Sequence, residues 1–276
     1  MRPPSRSSWA WRTSKTWPDR SKSPLQQTEP APANLQGAPY SGVVGTRRDV
    51  VAIDADDTLW HSQNHFDDAQ DQIVELLSPW ATPDEFADSL LAIERDNIPY
   101  YGFGVKSFIL SSIEAGIELS AGSIDPATIA AMSSVGKALL DHPVDLIDGV
   151  VETLTVLADD YRLVAVTKGD LRHQRTKFER SGISAHFEHI EVVEDKNPAV
   201  YQRIAIQLGV EPHRMTMVGN SLPSDVLPAL EAGLRAIHVP YDRIWSYEAH
   251  VDAPDHVESV DSFRDLVELL TGQMAS

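Results

Sequence analysis

The sequence predicts an α/β protein: a doubly wound parallel sheet interrupted early by a block of helices. Three observations carry this. Five short runs are continuously apolar and largely β-branched, as strands covered on both faces require. From about residue 150 onward these runs alternate with helical patterns, the rhythm of strand–helix–strand crossovers. The stretch from about Ser62 to His142 breaks that rhythm, with amphipathic helices and no convincing strand.

The strands, in order, are Val50–Ile53, Leu163–Val166, Ile190–Val193, Met215–Val218 and Ala236–Val239. Helical patterns lie between them. Val150–Ala158 places Val151, Leu154 and Leu157 on one face, Leu171–Arg180 is polar and charged, Pro198–Leu208 aligns Val200, Ile204 and Leu208, and Leu227–Ala232 follows the fourth strand. The interruption reads as four helices. Asp67–Ser78 turns Ile73, Leu76 and Leu77 inward, and Asp84–Arg95 turns in Phe86, Leu90 and Ile93. Val105–Leu119 turns in Phe108, Ile109, Ile113 and Ile117. The fourth starts at Asp125-Pro126, an N-cap with proline at the first helical position, and buries Ile129, Met132, Val135 and Leu139. An insertion after the first strand sits over the C-terminal edge of the sheet, where open α/β sheets bind ligands. The chain thus divides into a disordered N-terminal tail (1–45), a core (46–61 and 143–276) and a helical cap (62–142).

Composition bounds the function. The 276 residues carry 41 acids against 23 bases, a net charge of −18, which argues against nucleic acid or an anionic membrane as the main partner. The charge is uneven: residues 1–48 hold eight bases and two acids, +6, leaving −24 for the rest. That Pro-, Ser- and Gln-rich start lacks the apolar core of a secretory signal. It reads as a dispensable extension, with Trp9, Trp11 and Trp17 its one hint of docking. No cysteine is present, so disulfides, zinc–thiolate sites and cysteine nucleophiles are excluded. No run approaches the about 20 apolar residues that span a bilayer. We expect a cytoplasmic protein; the oligomeric state is left open.

The chemistry lies at the strand ends. The first strand runs into Asp54-Ala55-Asp56-Asp57-Thr58; an Asp-x-Asp alone is weak, but carboxylates directly after a buried strand stand at the ligand-binding edge. The second ends in Thr167-Lys168-Gly169-Asp170, where Thr167 is either a helix cap or a hydroxyl donor to an anion. The third leads to Lys196, and the fourth to Gly219-Asn220-Ser221 with Asp225 beyond, a set of oxygen ligands suited to a hard cation. Each signal is slight alone; together they line one sheet edge in chain order.

This order resembles the four motifs of the haloacid dehalogenase-like (HAD) hydrolase superfamily over about Asp49 to Tyr247. Gln174, Lys177, Gly182 and Phe187 resemble the stretch between its second and third motifs, and the inserted helices resemble its C1-type cap on a Rossmann-like core. The phrases Tyr100–Gly104, Thr167–Asp170, Gly219–Pro228 and His238–Tyr241 with Trp245 resemble a phosphatase-like branch. The resemblance implies a nucleophile at Asp54 that forms an aspartyl-phosphate, and an acid–base at Asp56. It implies catalytic roles for Thr167 and Lys196 and substrate contacts at Thr167, Lys168, Gly169 and Lys196. It also implies Mg²⁺ held by Asp54, Asp56 through its carbonyl, and Asn220 or Asp225. The partner would be a small phosphorylated metabolite. Two positions depart from the family: Asn220 where Asp is usual, and Asp57 where Gly is frequent. A non-glycine residue is tolerable at 57 if φ stays negative; Asp57 reads as a surface acid or as a group that supports the site from behind, and the surface reading is preferred.

Specificity is expected from the cap. Asn97–Gly104 reads as a loop that either faces substrate or staples the cap through Tyr100, Tyr101 and Phe103. Trp60 reads as packing and Arg172 as solvated. His61, Asn64 and His173 are candidates to meet substrate, and Trp245, Tyr247 and Glu248 either line the pocket or cover the sheet. Three function classes follow: a Mg²⁺-dependent phosphatase, a carbon–halogen hydrolase in which Asp54 attacks carbon without a metal, and a binding module that keeps the fold but not the rate.

Overall fold

The computed structural model describes residues 48–248, 251, 253–254 and 257–273. The tail and its three tryptophans lie outside the described residues.

Six parallel strands stand in the order β3-β2-β1-β4-β5-β6. They are β1 (Val50–Ile53), β2 (Arg162–Lys168), β3 (His189–Val193), β4 (Met215–Gly219), β5 (Arg235–His238) and β6 (Glu258–Ser259). This is the doubly wound, Rossmann-like order, and its direction reverses between β1 and β4, so the ligand crevice opens there. Register holds the strand ends level: Ile53 stands opposite Ala165 on β2 and Val218 on β4. Successive side chains point to opposite faces. Val51, Ile53, Leu163 and Ala165 join one buried cluster, whereas Val50, Ala52, Val164 and Val166 join the other. The first face is covered by α5 (Val150–Asp160), α6 (Leu171–Ser181) and α9 (Leu266–Thr271), the second by α7 (Pro198–Leu208) and α8 (Leu227–Glu231).

The helices between β1 and α5 are α1 (Gln63–Leu77), α2 (Pro83–Tyr101), α3 (Val105–Leu119) and α4 (Pro126–Leu140). They enclose a cluster of their own, centred on Ile73, Phe86, Leu90, Phe108 and Met132. Thr82 and Glu85 form a capping box that starts α2, and Asp125 accepts the N–H groups of Ala127 and Thr128 to start α4. No helix among the described residues is long and apolar enough to cross a membrane.

Several expectations need correction. α5 buries Val150, Leu154 and Leu157, while Val151 is exposed, because a 3.6-residue period favours i, i+4, i+7 over i+1, i+4, i+7 here. Ile117 is likewise exposed, because the inward face of α3 runs through Phe108, Ser112, Ala115 and Gly116, and Ile117 lies off it. β3 is an edge strand and only Val193 is buried. α2 does not stop at Arg95 but continues to Tyr101; Pro99 falls in its last turn, and Gly102, at φ +69°, ends it. Tyr100 and Tyr101 therefore project from a helix end into solvent, 68% and 52% exposed, and staple nothing.

Candidate active site

β1 delivers Asp54 to the crevice, buried, with its N–H donating to Val218 O of β4 at 2.9 Å. The chain then folds back: Leu59 N–H donates to Ala55 O (2.8 Å) and Asp57 N–H to Trp60 O (2.8 Å). The turn forces Asp57 to φ +61°, a left-handed conformation costing a non-glycine residue about 1–2 kcal/mol. Its carboxylate accepts from the N–H groups of Ser62 (2.8 Å) and Gln63 (3.0 Å), satisfying the start of α1. The surface reading of Asp57 thus gives way to a supporting one, and the condition of a negative φ is not met. Burial raises Asp57 to about 6, against the pull of those two N–H donors.

Asp56 faces the crevice with three donors on its carboxylate. Lys177 Nζ (2.5 Å) and Trp60 Nε1 (2.6 Å) reach Oδ1, and Gln174 Nε2 (2.7 Å) reaches Oδ2. Burial works to raise its pKa, but the Lys177 charge and these hydrogen bonds prevail and hold it down at about 2. Trp60 packs edge-on against Phe178, ring centroids 4.8 Å apart, so it is a packing residue that also grips Asp56. Gln174 and Lys177 lie three residues apart on one face of α6. That spacing, on a helix otherwise so polar, was the available signal for their shared role.

Lys196, on the loop after β3, is buried between two carboxylates. Its ammonium donates to Asp54 Oδ1 and to Asp225 Oδ1, the latter at 2.6 Å. Burial opposes the Lys196 charge, yet Asp225 and Asp54 together hold its pKa above the ordinary lysine value. Asp54 moves upward: burial dominates, Lys196 opposes it, and Asp225 and Asp56 add to the rise. The two groups are linked, because the ammonium and the carboxylate each favour the other's ionised form while burial disfavours both. Asp225 can stand so near the strand because residue 219 is glycine; a Cβ there would collide with its carboxylate.

Thr167, next to last in β2, is buried at the crevice, and Asp170 rather than Thr167 caps α6, accepting from His173 N at 2.9 Å. Gly169 takes φ +125°, which brings the backbone past Gln174. Lys168 lies 4.3 Å from the Phe103 ring and donates to Ser224 Oγ (2.6 Å) and Glu248 Oε1 (2.5 Å). Glu248 also accepts from Ser221 Oγ (2.6 Å), and despite burial these partners, Lys168 above all, keep it below its ordinary pKa. Glu248 therefore ties the segment after β5 to both strand ends. Trp245 and Tyr247 of that segment stack, 4.8 Å apart, and meet Phe103 edge-on.

One cavity of about 240 Å³ unites these groups. Asp54, Asp56, Thr167, Lys168, Gly169, Lys196, Asn220 and Asp225, all expected from the sequence, line it together. His173, Phe103, Trp245 and Glu248 line it as well; Arg172 is exposed. His61 instead pairs with Tyr241 Oη at 2.6 Å. Glu94 and Ser107, on the helical side, were not anticipated from the sequence. At this volume the cavity falls below the range of drug-sized ligand pockets, which suits a small metabolite.

The donor set fits a hard cation. Thr58 has one hydroxyl hydrogen, and two acceptors compete for it: Asn220 Oδ1 at 3.2 Å and Asp54 Oδ2 at 3.4 Å. One of them is left without that hydrogen at the crevice, a position a metal ion would fill. Asp225 already has partners on both oxygens, Lys196 and the Ser221 N–H (3.0 Å), which favours Asn220 over Asp225 for direct contact. Among the described residues no three His, Cys, Asp or Glu side chains cluster as a metal site. Mg²⁺ does not need such a cluster, since it takes one or two carboxylates plus substrate phosphate and water.

A family model described as a haloacid dehalogenase-like hydrolase matches residues 48–233. The N-acylneuraminate-9-phosphatase of Mus musculus is 36% identical over 102 residues, which is 35% of this chain and 41% of that protein. The chain therefore spans about two fifths of that relative's length. The glyceraldehyde 3-phosphate phosphatase of Methanopyrus kandleri is 25% identical over 230 residues, 80% of this chain and 96% of that protein. A crystal structure of a haloacid dehalogenase-like family hydrolase from Xanthomonas campestris matches with a TM-score of 0.75 at 36% identity, covering 85% of this chain and 95% of that one.

Proposed function

The chain belongs to the haloacid dehalogenase-like hydrolase family, and on that premise we propose that it is a Mg²⁺-dependent phosphatase acting on a small phosphorylated metabolite through an aspartyl-phosphate at Asp54. The observation that carries this reading is the convergence of Asp54, Asp56, Thr167 and Lys196 on one small cavity, with an oxygen at Asp54 or Asn220 beside them that is left without the Thr58 hydrogen.

An Asp54 oxygen attacks phosphorus, and the bond from phosphorus to the ester oxygen breaks as the Asp54–phosphorus bond forms. Asp56 protonates the departing oxygen. Three donors hold it ionised beforehand, so the proton comes with the ester: a phosphate monoanion gives its proton to Asp56, which passes it on. Water then attacks phosphorus, Asp56 takes a proton from it, and the bond to Asp54 breaks to give inorganic phosphate and the free carboxylate. Lys196 offsets the charge on Asp54 and on the phosphoryl group, and Thr167 offers its hydroxyl to a phosphoryl oxygen. Mg²⁺ held by Asp54, the Asp56 carbonyl and Asn220, with Asp225 behind, would supply the positive charge that lets an anionic ester approach two carboxylates. A carbon–halogen hydrolase would have no use for that oxygen set.

The test is phosphate release from an aryl phosphate with and without Mg²⁺, beside Asp54→Asn. We expect turnover that needs the metal and falls roughly a thousandfold or more in the variant. No phosphate release from the aryl ester or from a panel of metabolite phosphates, in a folded protein with Mg²⁺ present, would refute the reading. Halide release from 2-haloacids without metal would replace it with the dehalogenase.

A further inference from the structure

The helical side of the cavity carries a carboxyl that the chemistry above does not use. Glu94, in α2, is 7% exposed and lines the cavity beside Leu90, Ile98, Phe103 and Trp245. Among the described residues its one hydrogen-bond partner is Trp245 Nε1, at 3.3 Å from Oε2. Ser107, in α3, lines the same cavity, is 4% exposed, and its hydroxyl has no partner there at all. Two buried polar groups that leave hydrogen-bonding capacity unused are expensive in an empty site and become favourable once a ligand fills them.

The cations on the cavity wall are all engaged. Lys196 holds Asp54 and Asp225, Lys177 holds Asp56, Lys168 holds Glu248, and Arg243 holds Asp67 at 2.7 Å. A ligand bringing a second anion would therefore face Glu94 and have to draw a lysine or arginine from its carboxylate, the exposed Arg243–Asp67 pair being the weakest held. A ligand bringing hydroxyl or ammonium donors would satisfy Glu94 and Ser107 while its carbon skeleton lay against Leu90, Ile98 and the aromatic rings.

We propose that Glu94 and Ser107 select the alcohol half of the phosphate ester, and that the substrate is the monophosphate of a small polyol or amino alcohol rather than of an alcohol bearing a carboxylate or second phosphate. This rests on the phosphatase reading for the reaction, and on the cavity walls alone for the preference. Burial raises Glu94 to about 7, opposed by the Trp245 hydrogen bond, as expected of a carboxyl that lacks its natural donor.

The experiment compares glycerol phosphate, phosphoethanolamine and phosphoglycolate as probes on the full chain with Mg²⁺. Wild type, Glu94→Gln and Ser107→Ala are assayed for kcat/KM. The same three probes are titrated calorimetrically into Asp54→Asn, with and without Glu94→Gln, so that preference is read without turnover. Circular dichroism confirms that each variant is folded. We expect the wild type to prefer the first two probes over phosphoglycolate by about tenfold or more, and Glu94→Gln to shrink that ratio by about tenfold, through KM and Kd. Turnover with a ratio that Glu94→Gln leaves unmoved, or a preference for phosphoglycolate, would overturn this proposal and leave the phosphatase standing. Binding preference that depends on Glu94, without phosphate release from any probe or from the aryl ester and metabolite panel above, would support the selection and overturn the phosphatase. Neither binding nor release across that same set would overturn both.

Discussion

Replacing Glu94 by Gln should stabilise the protein, by an amount set by pH. In the unfolded chain the carboxyl titrates at its ordinary value of 4.5; in the folded protein burial raises it to about 7. The folded state thus binds the proton more tightly. Below pH 4.5 both states are protonated and burial of the carboxyl carries no charge penalty. As pH rises from 4.5 toward 7 the unfolded chain ionises first, and stability is lost across that window. At about 1.4 kcal/mol for each tenfold in proton affinity, the full loss is about 3 kcal/mol above pH 7. Gln keeps the shape and an oxygen for Trp245 Nε1, but never ionises. Urea unfolding of both proteins at pH 5, 6, 7 and 8 should show a difference of about 1 kcal/mol at pH 5 that grows to roughly 3 kcal/mol at pH 8, with unchanged m-values. A difference that does not vary with pH, or a variant less stable at pH 8, would refute the reasoning. The gain at pH 8 and the expected loss of substrate preference are two sides of one group, whose burial is unfavourable until a ligand arrives.

Three further outcomes are expected. Asp57→Ala keeps the left-handed φ and loses the acceptor for Ser62 and Gln63 N–H, so it should cost about 2 kcal/mol in urea unfolding. Asp57→Asn, which tolerates that φ and keeps an oxygen, should cost under about 1 kcal/mol; equal losses would count against the strain argument. Lys196→Met leaves Asp54 and Asp225 buried with no counter-charge, and should destabilise by about 3–5 kcal/mol at pH 8 while abolishing phosphate release. A stable, folded variant at that pH would contradict it. Gly136→Ala would drive a Cβ into Ile109 where α3 crosses α4, so despite better helix propensity it should lose about 1–3 kcal/mol, part of it recovered by Ile109→Val in a double-mutant cycle.

What could be read in advance followed from burial. β1, β2 and β4 are covered on both faces, so their central residues are apolar but for Thr216 and their positions are plain in the sequence. β6 is two exposed residues, Glu258 and Ser259, paired to β5 through the backbone and through the Arg235–Glu258 ion pair; no apolar pattern marks it. α1 begins four residues earlier than its apolar period suggests because its first N–H groups are met by Asp57, which stands outside the helix and reaches it only through the turn. α2 outruns the expected end at Arg95 because a proline in the last turn need not end a helix.

By itself, the sequence determined the order of strands and helices and the placement of Asp54, Asp56, Thr167, Lys196 and Asn220 at strand ends. Both follow from local chemistry: apolar runs must be buried, and polar residues just after them must emerge at an edge. Tertiary structure alone decided which charge meets which. Lys196 could have been a solvated loop lysine; it lies between Asp54 and Asp225. Lys177 holds Asp56 from 121 positions away, Lys168 is spoken for by Glu248, and Glu94 is left facing the cavity without a cation. Such pairings depend on separations of a few ångströms between distant segments in a medium where an unpaired charge is costly, and no residue's neighbours in sequence carry that information.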